Sequence, residues 1–300
     1  MDHLRLSFGD CAPCDPVLTC SSCGGLGGIW RCRDCAVRAD LCAGCCRTMH
    51  TTTLFHRIRK WNGHYYQAAA LWQVGVKLYL GHEGKICPSR GATNGSFVNE
   101  LHGNPEWNDA DIEDEPDLPG DEAWDSDDMN DINPANPSES ILPIPPSIDS
   151  FGSPFIIVVH HNGIHHIPAV SFQCLQPHDD NLLYIQLGYF PASFTKVWTI
   201  FTFAVLRAFK MANLECKTTL YRYFQMLRRM TCPAFPWKTP NRYREFRRVY
   251  RLFRHLTLLR RFGYGHLSES PKKGDLAIFC AACPQPEVNL DVGWKDNINK

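Results

Sequence analysis

Between Cys20 and His56 the chain sets out three Cys-x2-Cys pairs, Cys20/Cys23, Cys32/Cys35 and Cys42/Cys45, then two spaced histidines, His50 and His56. A Cys-x2-Cys pair turns tightly and aims two thiolates at one point, and zinc takes four such donors in a tetrahedron. Eight donors fill two shells. Residues 11–60 are rich in Gly and Cys and poor in large apolar side chains, so a hydrophobic core alone would hardly fold them. Structural zinc contributes on the order of 10–16 kcal/mol in small domains, and the ladder reads as two structural Zn2+ sites.

Two groupings of the pairs are open. The spacers are short, eight residues from Cys23 to Cys32 and six from Cys35 to Cys42. Such spacers suit an interleaved cross-brace, with Cys20, Cys23, Cys42 and Cys45 on one ion and Cys32, Cys35, His50 and His56 on the other. This spacing resembles that of B-box and ZZ modules. Sequential pairing is the alternative, and Cys46, beside Cys45, can take its place. Redox Cys-x2-Cys chemistry wants a thioredoxin-like βαβ context, which the Gly-rich surroundings do not suggest. Cys11 and Cys14 form an extra pair without an evident partner.

Formal charge is zero only because large blocks cancel. Residues 1–90 carry 11 Lys/Arg against 6 Asp/Glu; residues 91–195 carry 18 acids and no Lys or Arg; residues 196–273 carry 18 bases against 3 acids. The local blocks, not the overall balance, speak to partners. The N-terminus has no apolar signal-like core, and the most apolar later run, Val197 to Phe209, already contains Arg207 and is too short to span a bilayer. Fifteen cysteines in such a chain favour thiolates and metal over disulfides. The expected compartment is nucleus or cytoplasm, not a secretory one.

The expected architecture is α+β: a lead-in over 1–10, a zinc-binding cysteine-cluster module over 11–90, an acidic disordered insert over 91–150, an α+β segment with basic helices over 151–290, and a tail over 291–300. The insert follows from Asp, Glu, Pro and Gly crowding residues 106–131. Val76–Leu80 alternates like a strand. Phe155–Val159 is β-branched and leads into Asn162-Gly163, a hairpin signal. The histidines around that turn, His160, His161, His165 and His166, read as exposed or half-buried strand residues. Leu182–Leu187 reads as a further short strand. Residues 194–230 read as helical, because Phe194, Val197, Trp198 and Phe201 recur at three- and four-residue steps. A last helix is expected from Thr239-Pro240-Asn241 to about Gly263. Its apolar stripe is Tyr243, Phe246, Tyr250 and Phe253, and Arg244, Arg247, Arg248, Arg251 and Arg254 gather on another face. Those arginines are the candidate nucleic-acid contacts. A Gly-x-Ser-x-Gly elbow, a P-loop and a dinucleotide fingerprint are all missing, and the acids outside the insert form no convincing magnesium-binding set.

Cys32-Arg33-Asp34-Cys35, the Cys42–Cys45 pair, Phe55-His56-Arg57-Ile58 and Trp61-Asn62-Gly63 resemble the second type of CxC cysteine cluster associated with KDZ (Kyakuja–Dileera–Zisupton) transposases. Leu80-Gly81-His82 with Cys87-Pro88, Asn162-Gly163-Ile164-His165, Tyr189-Phe190-Pro191-Ala192 and Phe201-Thr202-Phe203 come next in order. So do Asn241 to Phe246, Gly274-Asp275-Leu276-Ala277 and Cys280-Ala281-Ala282-Cys283-Pro284-Gln285-Pro286. The resemblance implies a mobile-element protein whose cysteine cluster precedes an RNase H-like catalytic domain and contacts DNA or chromatin. Ala281 and Glu287 depart from the family pattern. The expectation is a binding module from a truncated or degenerate transposase that lacks its catalytic domain, and not an enzyme. The alternative is a B-box- or ZZ-like protein-interaction module without nucleic-acid binding. A protein partner for the zinc module is a further expectation, and a membrane partner is not expected.

Overall fold

The computed structural model describes residues 17–85, 143–149, 152–171, 180–266, 269–272 and 274–277. The Cys11/Cys14 and Cys280/Cys283 pairs, Cys87, the lead-in, the tail and nearly all of the acidic insert lie outside the described residues. The chain divides into two compact units, Met1–Val249 and Tyr250–Lys300, and the first holds both sheets.

The first sheet is antiparallel, in the order β2-β1-β3-β4: β1 (Trp30–Cys32), β2 (Asp40–Leu41), β3 (Ile58–Trp61) and β4 (Tyr66–Ala69). A seven-residue helix, α1 (Ala43–Met49), comes after β2. Its core unites Trp30, Leu41 and Ile58 with buried Cys20, Cys32 and Cys46, with Leu71 and Val74 of the 3-10 turn Leu71–Val74, and with Val76 just beyond that turn. The cysteine-rich stretch therefore borrows apolar side chains from just downstream. On the opposite face of the sheet Arg31 donates two hydrogen bonds to Asp40, both at 2.8 Å. The Tyr66 hydroxyl donates to the same carboxylate at 2.6 Å.

The second sheet has the order β5-β7-β6-β9-β8: β5 (Leu78–Tyr79), β6 (Phe155–His160), β7 (Gly163–Val170), β8 (Tyr189–Pro191) and β9 (Thr199–Thr202). β5 runs parallel to β7 and β9 parallel to β6; the β6–β7 and β8–β9 pairs are antiparallel. The alternating stretch Val76–Leu80 contributes only two paired residues, yet they dock on β7 and so bring the end of the cysteine-rich region into this sheet.

Three local expectations change. Residues 182–187 are helical, within α2 (Asp180–Gln186) and its end. Leu183, Tyr184 and Leu187 pack on the core at helical spacing, and that periodicity outweighs the short apolar run. Thr199–Thr202 is a strand, not helix, because Ile200 and Phe201 are buried on both faces of the sheet and the run pairs with β6 and β8. The helix starts one residue later: Thr202 accepts at Oγ1 from Val205 N, 3.2 Å, and caps α3 (Phe203–Cys216). Finally, the β6–β7 turn is His161-Asn162, and Gly163 opens β7 opposite His160. Gly163 has φ +143°, and a Cβ there would lie 2.9 Å from Thr231 Oγ1. The glycine serves the approach of a helix rather than the centre of the turn.

That helix is α4 (Leu220–Thr231), capped by Thr219 Oγ1, which accepts from Arg222 N at 3.3 Å. Thr231 Oγ1 accepts from Ile164 N, 2.8 Å, tying α4 to β7. Arg228 is buried and donates to Pro236 O and Thr239 Oγ1, pinning the segment that follows α4. α5 (Tyr243–Arg261) packs its first turns through Phe246, whose ring stacks on Phe201 at 5.1 Å.

Candidate metal centre

The ladder folds so that Cys20, Cys23, Cys42 and Cys45 converge, and separately Cys32, Cys35, His50 and His56; within each group the donor atoms lie within 4.8 Å of one another. The grouping is interleaved, and each group can hold a metal ion. Among the described residues no other set of three or more His, Cys, Asp or Glu converges this way.

In the first group, Thr19 bridges Leu26 and Cys20 N donates to Gly25 O at 2.7 Å, closing a knuckle that presents Cys20 and Cys23. Gly28 lets the backbone at Thr19 pass close by: a Cβ there would lie 2.3 Å from Thr19 O. The other two thiols open α1. Cys42 is its N-cap and accepts from Cys45 N at 3.4 Å. Cys23 and Cys42 sulfurs lie 3.9 Å apart. Burial works against a thiolate at Cys20, but backbone amides of Cys42, Cys23 and Ser22 outweigh it and bring its pKa down to about 6. Ser22 favours the Cys45 thiolate, but neighbouring Cys42 and Cys23 sulfurs prevail and push its pKa up to about 12. Uncompensated by a cation, four clustered sulfurs cannot all ionise.

In the second group, Cys32 ends β1, Cys35 sits in the turn after it, and Cys35 N donates to Cys32 Sγ at 3.3 Å. His50 closes α1 and His56 precedes β3. His56 Nδ1 lies 3.4 Å from Cys35 Sγ and 3.5 Å from Cys32 Sγ, and His50 Nε2 lies 3.5 Å from Cys35 Sγ. Zinc–sulfur bonds of about 2.3 Å and zinc–nitrogen bonds of about 2.0–2.1 Å at a tetrahedral angle place S and N about 3.6 Å apart, and two sulfurs about 3.8 Å apart. The spacing in both groups therefore fits Zn2+, and so does the donor chemistry, thiols and imidazoles without a carboxylate.

The surroundings orient the donors. His50 Nδ1–H donates to Cys46 O at 2.7 Å, which leaves Nε2 for the centre. Asp34 accepts from Arg57 N, 2.7 Å, Nε, 3.2 Å, and Nη2, 2.7 Å, and so clamps the Cys32–Cys35 turn to the strand after His56. Burial opposes the charge on His50, but the hydrogen bonds its ring donates to Cys32 and Cys46 prevail and lift its pKa to about 11. Burial opposes the Cys32 thiolate too, yet the His50 side chain and the Asp34 and Cys35 amides bring it down. Burial and the adjacent Cys32 push Cys35 up, and burial and His50 push His56 down. Thiols and imidazoles gathered this closely favour a positive charge at their centre, which a divalent cation would supply.

Cys46, the open alternative to Cys45, is fully buried and outside the first group. Its contribution is the carbonyl that orients His50. Sequence reading passes over this role, although the i, i+4 spacing of Cys46 and His50 on one short helix is a usable signal.

The hairpin histidines join the centre to the second sheet without belonging to either group. Phe55, next to His56, packs its ring 4.5 Å from His160, 5.7 Å from His165 and 6.0 Å from Tyr189. Asn162 Nδ2 donates to Phe55 O at 2.7 Å, His165 Nε2–H donates to Asn162 Oδ1 at 2.8 Å, and His160 Nδ1 is hydrogen-bonded to Thr202 Oγ1 at 2.9 Å. Burial, with the neighbouring cations, holds His160 and His165 at about 3 and His166 at about 4.

The five arginines of α5 have different fates. Arg244 is exposed; Arg247 and Arg248 are half-buried, and Arg248 Nη2 donates to Ala192 O. In the second unit Arg251 and Arg254 are exposed, with the Arg254 guanidinium 5.9 Å from the Tyr250 ring centre. No described helix is long and apolar enough to cross a membrane.

A family model described as CxC2 like cysteine cluster associated with KDZ transposases matches residues 146–234. The matched family is a cysteine-cluster domain and not itself a catalytic one. The match covers β6 to α4, less than a third of the chain, and none of the eight metal-centre residues falls within it. No curated protein and no solved structure matches the chain.

Proposed function

From the CxC2 match over β6 to α4, we infer that the chain is a zinc-dependent binding module of the kind that accompanies KDZ transposases, and that it contacts DNA or chromatin in the nucleus. The interleaved convergence of the two donor groups carries the zinc part of this reading. Cys20, Cys23, Cys42 and Cys45 hold one Zn2+, and Cys32, Cys35, His50 and His56 the other, in a B-box- or ZZ-like cross-brace. The ions supply cross-links and no chemistry, because every position of each shell is filled by protein.

The nucleic-acid part rests on charge. Residues 196–273 carry 18 bases against 3 acids, and Arg244, Arg251 and Arg254 lie exposed along α5. Cations at a surface neutralise phosphates and release counterions, so affinity falls steeply with salt. The role is binding, without strand cutting by this module. Titration of duplex DNA at several salt concentrations tests it. The expected result is a linear fall of log K with log salt; no binding at low salt, with both ions in place, would reject nucleic-acid contact in favour of a protein-interaction module.

A further inference from the structure

On α3, Arg207, Lys210, Met211 and Leu214 recur at i, i+3, i+4 and i+7 and are exposed, on the side away from buried Val205, Leu206 and Phe209. On α4 the same spacing gives Arg222, half-buried Gln225, Met226 and Arg229, away from buried Tyr223, Phe224 and Leu227. The helices are neighbours, with Phe209 and Tyr223 rings 5.2 Å apart. Met211, Leu214 and Met226 are 55%, 51% and 44% exposed, more than a packed helix needs to leave in water. Among the described residues no ion pair engages Arg207, Lys210, Arg222 or Arg229.

A phosphate backbone would answer these cations and leave the three hydrocarbon side chains wet. An acidic segment with apolar anchors answers both. The chain carries one: residues 106–132 hold 13 Asp and Glu, no Lys or Arg, and Trp107, Ile112, Leu118, Trp124, Met129 and Ile132 between them. It is tethered within the first unit between Lys85 and Pro143. A linker of this length extends to roughly 190 Å, so reach is no restriction, and tethering raises its local concentration far above that of a free competitor. We propose that the outer faces of α3 and α4 dock the chain's own acidic segment 106–132. The proposal is independent of nucleic-acid binding by α5.

A fluorescent peptide of residues 106–132, titrated onto the chain lacking those residues and onto the intact chain, tests it by anisotropy. The peptide is expected to bind the deleted chain, and the intact chain roughly tenfold or more weakly, because the tethered copy competes. Binding should weaken with salt and be largely lost in the deleted chain carrying Met211→Asp and Met226→Asp. Equal affinity for both chains, no binding to a deleted chain that melts like the parent, or indifference to the aspartates would overturn it. So would dimerisation of the deleted chain through these faces. DNA binding lost on Arg222→Glu but indifferent to Met226→Asp would likewise assign the surface to nucleic acid. In the intact chain, zero-length carbodiimide cross-linking should join Lys210 to acids within 106–131; a digest without such products also overturns the proposal.

Discussion

His50 gives its Nδ1–H to the carbonyl oxygen of Cys46, 2.7 Å away and one helical turn earlier, and presents Nε2 to Cys35 Sγ at 3.5 Å. The helix that makes this bond possible starts with Cys42 and Cys45 of the first donor group and ends with His50 of the second. α1 is a strut between the two centres. Its seven residues are too few to be a stable helix alone, so its order depends on the donor groups at its two ends.

Loss of one centre should therefore be felt at the other. Purified protein is expected to contain two zinc ions per chain by elemental analysis. Cys32→Ser should lower the count to one or none and abolish cooperative melting of residues 20–60. Cys46→Ala should retain both ions, because the carbonyl remains, at a cost of about 1 kcal/mol for removing the buried sulfur. Loss of an ion in Cys46→Ala would make its thiol a ligand.

Acid should loosen the contact between the cysteine-rich region and the second sheet. His160 and His165 are held at about 3 and His166 at about 4 in the folded chain, against about 6.5 when unfolded. Below about 6.5 the unfolded chain binds protons that the folded chain refuses, so stability is complete above that pH and falls on the way down to the folded values. The slope from each histidine is at most about 1.4 kcal/mol per pH unit, reached only well inside the window. Denaturant melts of parent and His165→Gln between pH 7 and 5 check this: the variant should show a shallower pH dependence, and parallel curves would reject the assignment.

Gly163→Ala is expected to destabilise by about 1–3 kcal/mol, since it combines a strained backbone with a clash against Thr231. Gly152→Ala, also at positive φ but with nothing within 4 Å of the added Cβ, should cost less. Chemical denaturation of the two variants measures the difference, and equal losses would remove the α4 contact from the explanation.

Arg248 and Arg251 should separate stability from nucleic-acid contact. Arg248→Ala removes the donor to Ala192 O and is expected to lower the melting temperature. Arg251→Ala and Arg254→Ala should leave melting unchanged and reduce the salt slope of DNA binding, by about 0.9 for each phosphate no longer neutralised. Unchanged slopes in both would place the phosphate contacts elsewhere.

The metal-ligand spacing is the most legible part of the chain, because Cys-x2-Cys geometry is local and short spacers restrict how pairs can meet. It does not reveal the surroundings of the donors. Asp34 and Arg57 are 23 residues apart and meet only once β1 and β3 pair. The apolar partners of the cysteine-rich stretch, Leu71, Val74 and Val76, lie beyond it. The strand Thr199–Thr202 is hidden for a related reason. Its aromatic spacing matches a helix, and only its pairing with β6, some forty residues earlier, decides otherwise. The five arginines of α5 are visible as a face, but that Arg248 is turned to Ala192 depends on the tertiary fold.

Lys77 and Asp149 form an ion pair with both side chains largely shielded from water. One precedes β5 and the other precedes β6, so the pair closes the base of everything between them. With the base closed, each doubling of the intervening length adds only about 0.6 kcal/mol of closure entropy. Lengthening the chain at this position thus adds little closure entropy. The same clasp makes it a natural port for a grafted reporter.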